Sequence, residues 1–347
     1  MTSPFIYQAL ALQIRCHAVN LCADSESARA HISAQIARIG KMVTANKAFV
    51  GPQCKLIVLP EYVLTGFPMQ ENFQQWREKA CIDVDGPEIE ALCAIAQKNE
   101  VHLALNAYER DAHFPELFFQ GCFLISPAGR IVLRYRRMNS VFSPTPYDVW
   151  NKYLEVYGED ALFPVADTEL GRMAFIASDE ILFPEVARVA LMKGAEIFLH
   201  PSSETHGPQL SAKDICKQAR AVENLAYLIS ANTAGISGTD VAAESADGGS
   251  RIIDYRGRIL AMAGTGESLN ANSEIHLSAL RDARRRTGMQ NLVARQKYAQ
   301  YAGFYACGES VAANGLADVS ATSANRSALL KLQQETISRL EKSGRLP

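Results

Sequence analysis

The feature that most constrains this chain is an alternation of two periodicities. Short apolar or β-branched runs recur at LIVLP (56–60), VHLALNAY (101–108), GCFLISP (121–127), RIVLRYR (130–136), RMAFIAS (172–178), EIFLH (196–200) and AYLISANT (226–233), which is the pattern of strands. Between several of them lie helical stripes. Ile32, Ile36, Ile39 and Val43 repeat behind the N-cap candidates Asp24 and Ser25, so one face of that helix should be apolar. Ile215, Ala219, Val222 and Ala226 repeat in the same way. Pro184 and Gly194 bracket EVARVALMK as the start and stop of a third helix. Strands alternating with helices imply a layered α/β fold rather than a β-sandwich or a bundle.

Composition narrows the class. Hydrophobic residues make up 48% of the 347 positions and charged residues 21%, the balance of an ordinary globular chain. The intervals between strands are too short for a second domain, and no linker composition precedes about residue 305. The reading is therefore one domain over residues 1–305. The extension 306–347 contains the small, polar ANGLADVSATSAN and a terminal helix in SALLKLQQETISRLEKSG, the kind of tail that is mobile or docks on a partner subunit.

Thirty-five basic and thirty-seven acidic side chains give a formal charge of −2 without long single-sign runs, which argues against a nucleic-acid partner. No apolar stretch reaches the roughly 18 residues a membrane span needs, and MTSPFIYQALALQ lacks a basic start and a cleavage site. A cytoplasmic protein with no membrane partner is expected. The eight cysteines include no C-x-x-C pair, so reduced thiols are expected rather than disulfides or zinc, with no metal site.

The common catalytic motifs are missing: there is no G-x-S-x-G elbow, no H-E-x-x-H and no Walker loop, and Gly264 and Gly266 lack a third glycine. What remains is positional, because functional side chains in open α/β sheets collect just past the carboxyl ends of strands. Three such ends carry polar residues: Glu61 after LIVLP, Arg137 after RIVLRYR, and Ser178 closing RMAFIAS. A carboxylate directly after an all-apolar run is costly unless it faces a polar cavity or partner, which favours function for Glu61. Arg137 could instead be one more solvated cation in RYRR, and Ser178 a small residue at a crowded turn.

These residues also carry a resemblance. LIVLPEYVLTGFP, GRIVLRYRR and GRMAFIASDEILFPEVARVALMKGAEIFLHPSSE resemble the three signature blocks of the nitrilase superfamily of carbon–nitrogen hydrolases. ARAVENLAYLISANTAG (219–235) and GGSRIIDYRGRILAMAG (248–264) resemble two later blocks of the family in the same order. The resemblance spans about residues 5–290. It implies a four-layer α-β-β-α sandwich that dimerises through its outer helices. It also implies a Glu-Lys-Cys site that acts on amide, nitrile or carbamoyl groups through an acyl-enzyme, with no cofactor. By position, Glu61 matches the general base, Arg137 stands where the family has Lys, and Ser178 stands where it has Cys. Glu180 takes the place of the usual Asp two residues on, beside Asp179. Glu155 is the best match to a second family glutamate, in a segment (138–160) longer than usual.

The substitutions have chemical consequences. A thiol near pKa 8.5 yields thiolate readily, whereas an alcohol needs a base throughout attack. Only His200, which ends EIFLH, and His206, on the loop that follows, are near enough in sequence to serve that need. Arg137 supplies a fixed positive charge and a forked donor set for an oxyanion but cannot pass a proton. Phe67, Met69, Tyr108 and Ser202 to His206, with Ser203 and His206 singled out, are candidate pocket wall together with Asp179 and Glu180. Such a wall suits a moderately apolar small molecule.

Three readings follow. One is a hydrolase in which Ser178 is acylated, or in which Glu61 and a water act directly. Another is an inactive relative that keeps the pocket for ligand binding or regulation. The third is an engineered Cys-to-Ser trap, which leaves Arg137 and Glu180 unexplained. Retention of Glu61 beside the paired changes favours the first.

Overall fold

The computed structural model describes residues 6–268, 271–308, 311–318, 320–322 and 324–346. The first residues of the stretch read for a leader, and positions 309–310, 319, 323 and 347 of the extension, lie outside them.

Two six-stranded sheets form the centre. The first runs, edge to edge, Asn272–His276, Ile6–Ala11, Cys54–Val58, His102–Glu109, Phe119–Ile125 and Ile131–Arg136. Its middle strands are parallel to one another (Ile57 opposite Leu103, for example), and the Phe119–Ile125 hairpin is antiparallel. The second runs Ile259–Met262, Arg251–Ile253, Tyr227–Ala231, Ile197–Pro201, Gly171–Phe175 and Ala166–Thr168, again with parallel strands inside and antiparallel strands outside.

The alternation of side chains along each strand decides how the layers stack. Leu56 and Val58 point between the sheets, toward Phe175, Leu199 and Ile229, while Ile57 points outward with Ile32, Ile36 and Ile39 of helix Ser25–Val50. On the other side, Ile197 and Leu199 face inward, and Phe198 faces Val186 and Ala190 of helix Pro184–Met192. The result is the expected α-β-β-α sandwich. The long helix starts at Asp24, whose side chain accepts the Ser27 N–H at 2.8 Å, a cap worth about 1 kcal/mol.

One expected stripe is only partly buried: Ala226 lies in the core and Ala219 and Val222 are half-buried, but Ile215 is exposed. In helix Ala212–Glu223, Ile215 is 57% exposed, whereas Asp214, Lys217, Arg220 and Ala221 are buried. The charged face turns inward because partners wait there. Asp214 meets Arg251, Lys217 meets Glu204, and Arg220 donates to the carbonyl oxygens of Ile181 and Leu182 at 3.0 and 3.1 Å. Buried charges are tolerated when they are paired in this way.

The extension also differs from expectation. It packs on its own core, with Leu316, Ala321, Ala324 and Leu329 buried beside the first sheet. The Phe73 N–H donates to Ala324 O at 2.9 Å, and the Arg326 guanidinium covers the Phe142 ring at 4.1 Å. Among the described residues, no helix is long and apolar enough to cross a membrane.

Candidate active site

Three strand ends converge on one cavity of about 600 Å³, which Glu61, Arg137 and Ser178 all line. Glu61 follows strand Cys54–Val58 in a tight turn where Tyr62 takes φ +36°. The turn is fixed from two sides, the Glu61 N–H donating to Ser202 O at 3.2 Å and the Tyr62 N–H to Asn106 Oδ1 at 3.0 Å. Glu61 Oε1 accepts from Arg137 Nη1 at 3.0 Å and from Gln120 Nε2 at 2.8 Å, while Gln120 Oε1 accepts from Arg137 Nη1 at 2.7 Å. Arg137 completes its fork by donating Nε to Asn139 O at 2.6 Å and pairing Nη2 with Asp179. Glu61 Oε2 takes no hydrogen bond among the described residues, which leaves it free for a ligand or water.

Ser178 opens a short 3-10 helix, Ser178–Leu182, after strand Gly171–Phe175. Its φ of +53° lies in the left-handed region, uncommon for a side-chain-bearing residue and found at sites the fold over-determines. His200 supplies part of that determination. Its Nε2 lies 2.9 Å from Ser178 O and its Nδ1 2.8 Å from Ser230 Oγ. A carbonyl can only accept, so Nε2 carries the proton and Nδ1 accepts the Ser230 hydroxyl. Burial, with the Lys217 charge adding to it, holds the His200 imidazole down to about 3, so it is neutral. Both nitrogens are engaged away from the hydroxyl, and His200 is a positioning residue rather than a base. Ser178 Oγ has no hydrogen-bond partner among the described residues.

Glu180 is the second fixing point. Its carboxylate accepts from Tyr135 Oη at 2.8 Å to each oxygen, from the N–H groups of Met138 and Asn139 at 2.7 and 3.0 Å, and from the Ala177 N–H at 3.0 Å. Burial pushes the Glu180 carboxyl up, with Arg137 and these donors working against it. Glu180 thereby ties the loop after Arg137 to the turn that holds Ser178.

Of the residues expected at the site, Glu61, Arg137, Ser178, Asp179, Phe67, Tyr108 and Ser203 line the cavity. Three do not. Glu155 is exposed on helix Trp150–Tyr157; in that amphipathic helix the buried face belongs to Tyr153, so the carboxylate points to solvent. Glu180 is sealed beneath the cavity by its own donors. His206 packs against Gly249, where a Cβ would lie 2.6 Å from its Nδ1, and is not part of the lining. Gln120, Phe142 and Lys213 were not anticipated. Gln120 is the one polar side chain in the buried run LFFQGCFLI, a legible signal obscured when the strand is started at Gly121. Among the described residues, no cluster of three or more His, Cys, Asp or Glu is arranged to hold a metal ion.

The comparisons agree with this architecture. The carbon–nitrogen hydrolase family model matches residues 22–285, and the chain belongs to that family. A formamidase from Bacillus thuringiensis (strain Al Hakam) is 31% identical over 213 residues, covering 60% of this chain and 59% of the formamidase. The chain thus spans less than two thirds of that relative's length. Among solved structures, a carbon–nitrogen hydrolase from Helicobacter pylori G27 superposes with a TM-score of 0.66 at 19% identity, covering 87% of this chain and 98% of that one. Nit3 of Saccharomyces cerevisiae, a member of branch 10 of the nitrilase superfamily, gives 0.61 at 20% identity, covering 82% and 96%.

Proposed function

We propose that the cavity hydrolyses a C–N bond of a small amide, nitrile or N-carbamoyl compound, with Ser178 as nucleophile, Glu61 as base and Arg137 as oxyanion donor. The observation that carries this reading is the meeting of the three side chains on one cavity, with neither Glu61 Oε2 nor Ser178 Oγ hydrogen-bonded among the described residues. For an amide, Glu61 takes the Oγ proton, directly or through a water, as Oγ bonds to the carbonyl carbon. The negative charge that develops on the carbonyl oxygen is met by the Arg137 guanidinium. Collapse breaks the C–N bond, the departing nitrogen takes the proton from Glu61, and an ester on Ser178 remains. Water, deprotonated by Glu61, then cleaves the ester and Ser178 regains its proton. Every proton passes through Glu61, since Arg137 cannot release one.

A second reading, binding without turnover, is favoured by one observation: among the described residues no base is hydrogen-bonded to Ser178 Oγ. A panel of amides, nitriles and N-carbamoyl compounds, with mass spectrometry on Ser178, separates the two. An ester adduct, with turnover lost in Ser178→Ala, supports hydrolysis. Ligand-induced thermal stabilisation without adduct or turnover supports binding alone. The combined change Ser178→Cys with Arg137→Lys should raise hydrolysis if the rest of the cavity is intact. We also propose that the chain pairs with a second copy through the outer helices Pro184–Met192 and Ala212–Glu223, which leave Met192 and Ile215 exposed. Light scattering on the full chain tests this, and a monomer would refute it.

A further inference from the structure

The cavity has a second charged wall that the reaction above does not use. Helix Ala212–Glu223 places Lys213 in the lining, with Asp214 and Lys217 buried behind it. Lys217 pairs with Glu204 Oε1 and lies 3.7 Å from Asp214, which Arg251 meets at 2.7 Å. Glu204 also lines the cavity, and its side chain is only 8% exposed. Its backbone is clamped, its N–H donating to Asn232 Oδ1 and its carbonyl accepting from Asn232 Nδ2, each at 2.8 Å. Its second oxygen, Oε2, is buried without a hydrogen bond among the described residues, and Lys213 Nζ stands 3.6 Å away. Burial would raise the Glu204 carboxyl, but the Lys217 ammonium paired with it, helped by Lys213, brings it below its ordinary value.

A buried carboxylate oxygen without a donor is costly, and an ammonium whose partner lies beyond hydrogen-bond distance keeps its own donors free. Across this wall, Lys213, Lys217 and Arg251 face Glu204 and Asp214, which leaves an excess positive charge. We propose that this wall reads the far end of the substrate. Lys213 pairs with a carboxylate, and Glu204 Oε2 accepts an N–H from an ammonium beside it, so the substrate is an amide of amino-acid type carrying both groups. The inference rests on the hydrolytic reading of the cavity. The volume fits: about 600 Å³ lies in the range of pockets that enclose whole small molecules, and formamide would fill little of it.

The test compares four amides on the full chain: L-glutamine, glutaramic acid (no ammonium), 4-aminobutanamide (no carboxylate) and butanamide (neither). We expect kcat/KM to be about tenfold higher for glutaramic acid than for butanamide, and higher again for glutamine, each tenfold step being about 1.4 kcal/mol. Lys213→Met should cut the glutaramate-to-butanamide ratio about tenfold, with Lys213→Arg keeping part of it. Glu204→Gln should cut the glutamine-to-glutaramate ratio. Each readout is a ratio within one variant, so partial misfolding lowers all four rates and leaves the ratio unchanged. Equal turnover of all four amides would overturn the inference and leave hydrolysis standing. If none is turned over, calorimetric binding of the same four decides. Carboxylate-dependent binding lost in Lys213→Met upholds the inference while hydrolysis fails, and binding without that dependence, or no binding, overturns it.

Discussion

Glu61 and Glu180 are both buried carboxylates close to Arg137, yet the protein treats them in opposite ways. Glu180 receives donors on both oxygens, from one phenol and three backbone N–H groups. Among the described residues Glu61 receives two donors on Oε1 and none on Oε2, and of the two glutamates only Glu61 lines the cavity. A carboxylate whose acceptor capacity is filled by its own fold holds loops together. One with capacity left at a cavity is placed to act on something that enters. Burial alone does not distinguish the two roles; the count of unused lone pairs does.

The comparison breaks first at Glu180. Glu180→Ala strands three backbone N–H groups and the Tyr135 hydroxyl in a dry interior, and at about 1–3 kcal/mol for each unsatisfied group the loss should approach 5 kcal/mol or more. Urea denaturation should show a large fall in midpoint, with any activity lost alongside because the Arg137 and Ser178 loops come apart. An unchanged midpoint would refute the clamp. Glu61→Gln should do the reverse. It keeps the shape and the Gln120 contact, so the midpoint should move little, while turnover falls about a thousandfold, roughly 4 kcal/mol of barrier. Retained turnover would remove Glu61 from the proton path.

Much of this was legible in the sequence, and the parts that were not share a cause. The strand ends at Glu61, Arg137 and Ser178 follow from apolar runs that stop at a polar residue, a pattern set by local burial. The stripe Ile32, Ile36, Ile39 and Val43 is buried as its spacing demands. Ile215 misleads because helix Ala212–Glu223 buries charge instead of hydrocarbon, and its partners Glu204 and Arg251 come from distant segments that spacing within one helix does not reveal. Strand Ile6–Ala11, IYQALA, has a single β-branched residue, Ile6, and is held as a strand by its neighbours Cys54–Val58 and Asn272–His276. Glu155 and Glu180 were assigned from sequence distance alone. The structure puts one on an exposed helix face and the other under a lid of donors.

His200 belongs on the Glu180 side of the comparison, and acid should expose it. Folded His200 stays neutral down to about 3, whereas an unfolded histidine takes a proton below about 6.5. Between those values the unfolded state binds the extra proton, so stability is lost as pH falls through 6.5, by about 1.4 kcal/mol per pH unit. His102 and His17, held down chiefly by burial, act with the same sign. Carboxylates held below their ordinary values, such as Glu204 and Asp214, begin to cost stability only near pH 4.5 and below. In the window from 6.5 to 4.5 the histidines lower stability while the carboxyls of Glu180 and Asp148, pushed up by burial, take protons in the folded state and offset part of the loss; the contribution of His200 alone should be about 3 kcal/mol. His200→Gln should flatten the stability slope there, and an unchanged slope would mean that His200 is not the group responsible.

The smallest effect tests the case between the two glutamates. Asp179 lines the cavity and pairs with Arg137 Nη2, but its side chain is 30% exposed, so solvent weakens the pair to about 1 kcal/mol or less. Asp179→Asn should leave the denaturation midpoint nearly unchanged. If the pair serves to aim the guanidinium, kcat should fall about fivefold with KM little moved, because the donor still binds but sits less well where the oxyanion forms. If KM rises and kcat holds, Asp179 contacts the substrate itself, and it then stands with Glu61 as a cavity group rather than with Glu180 as part of the frame.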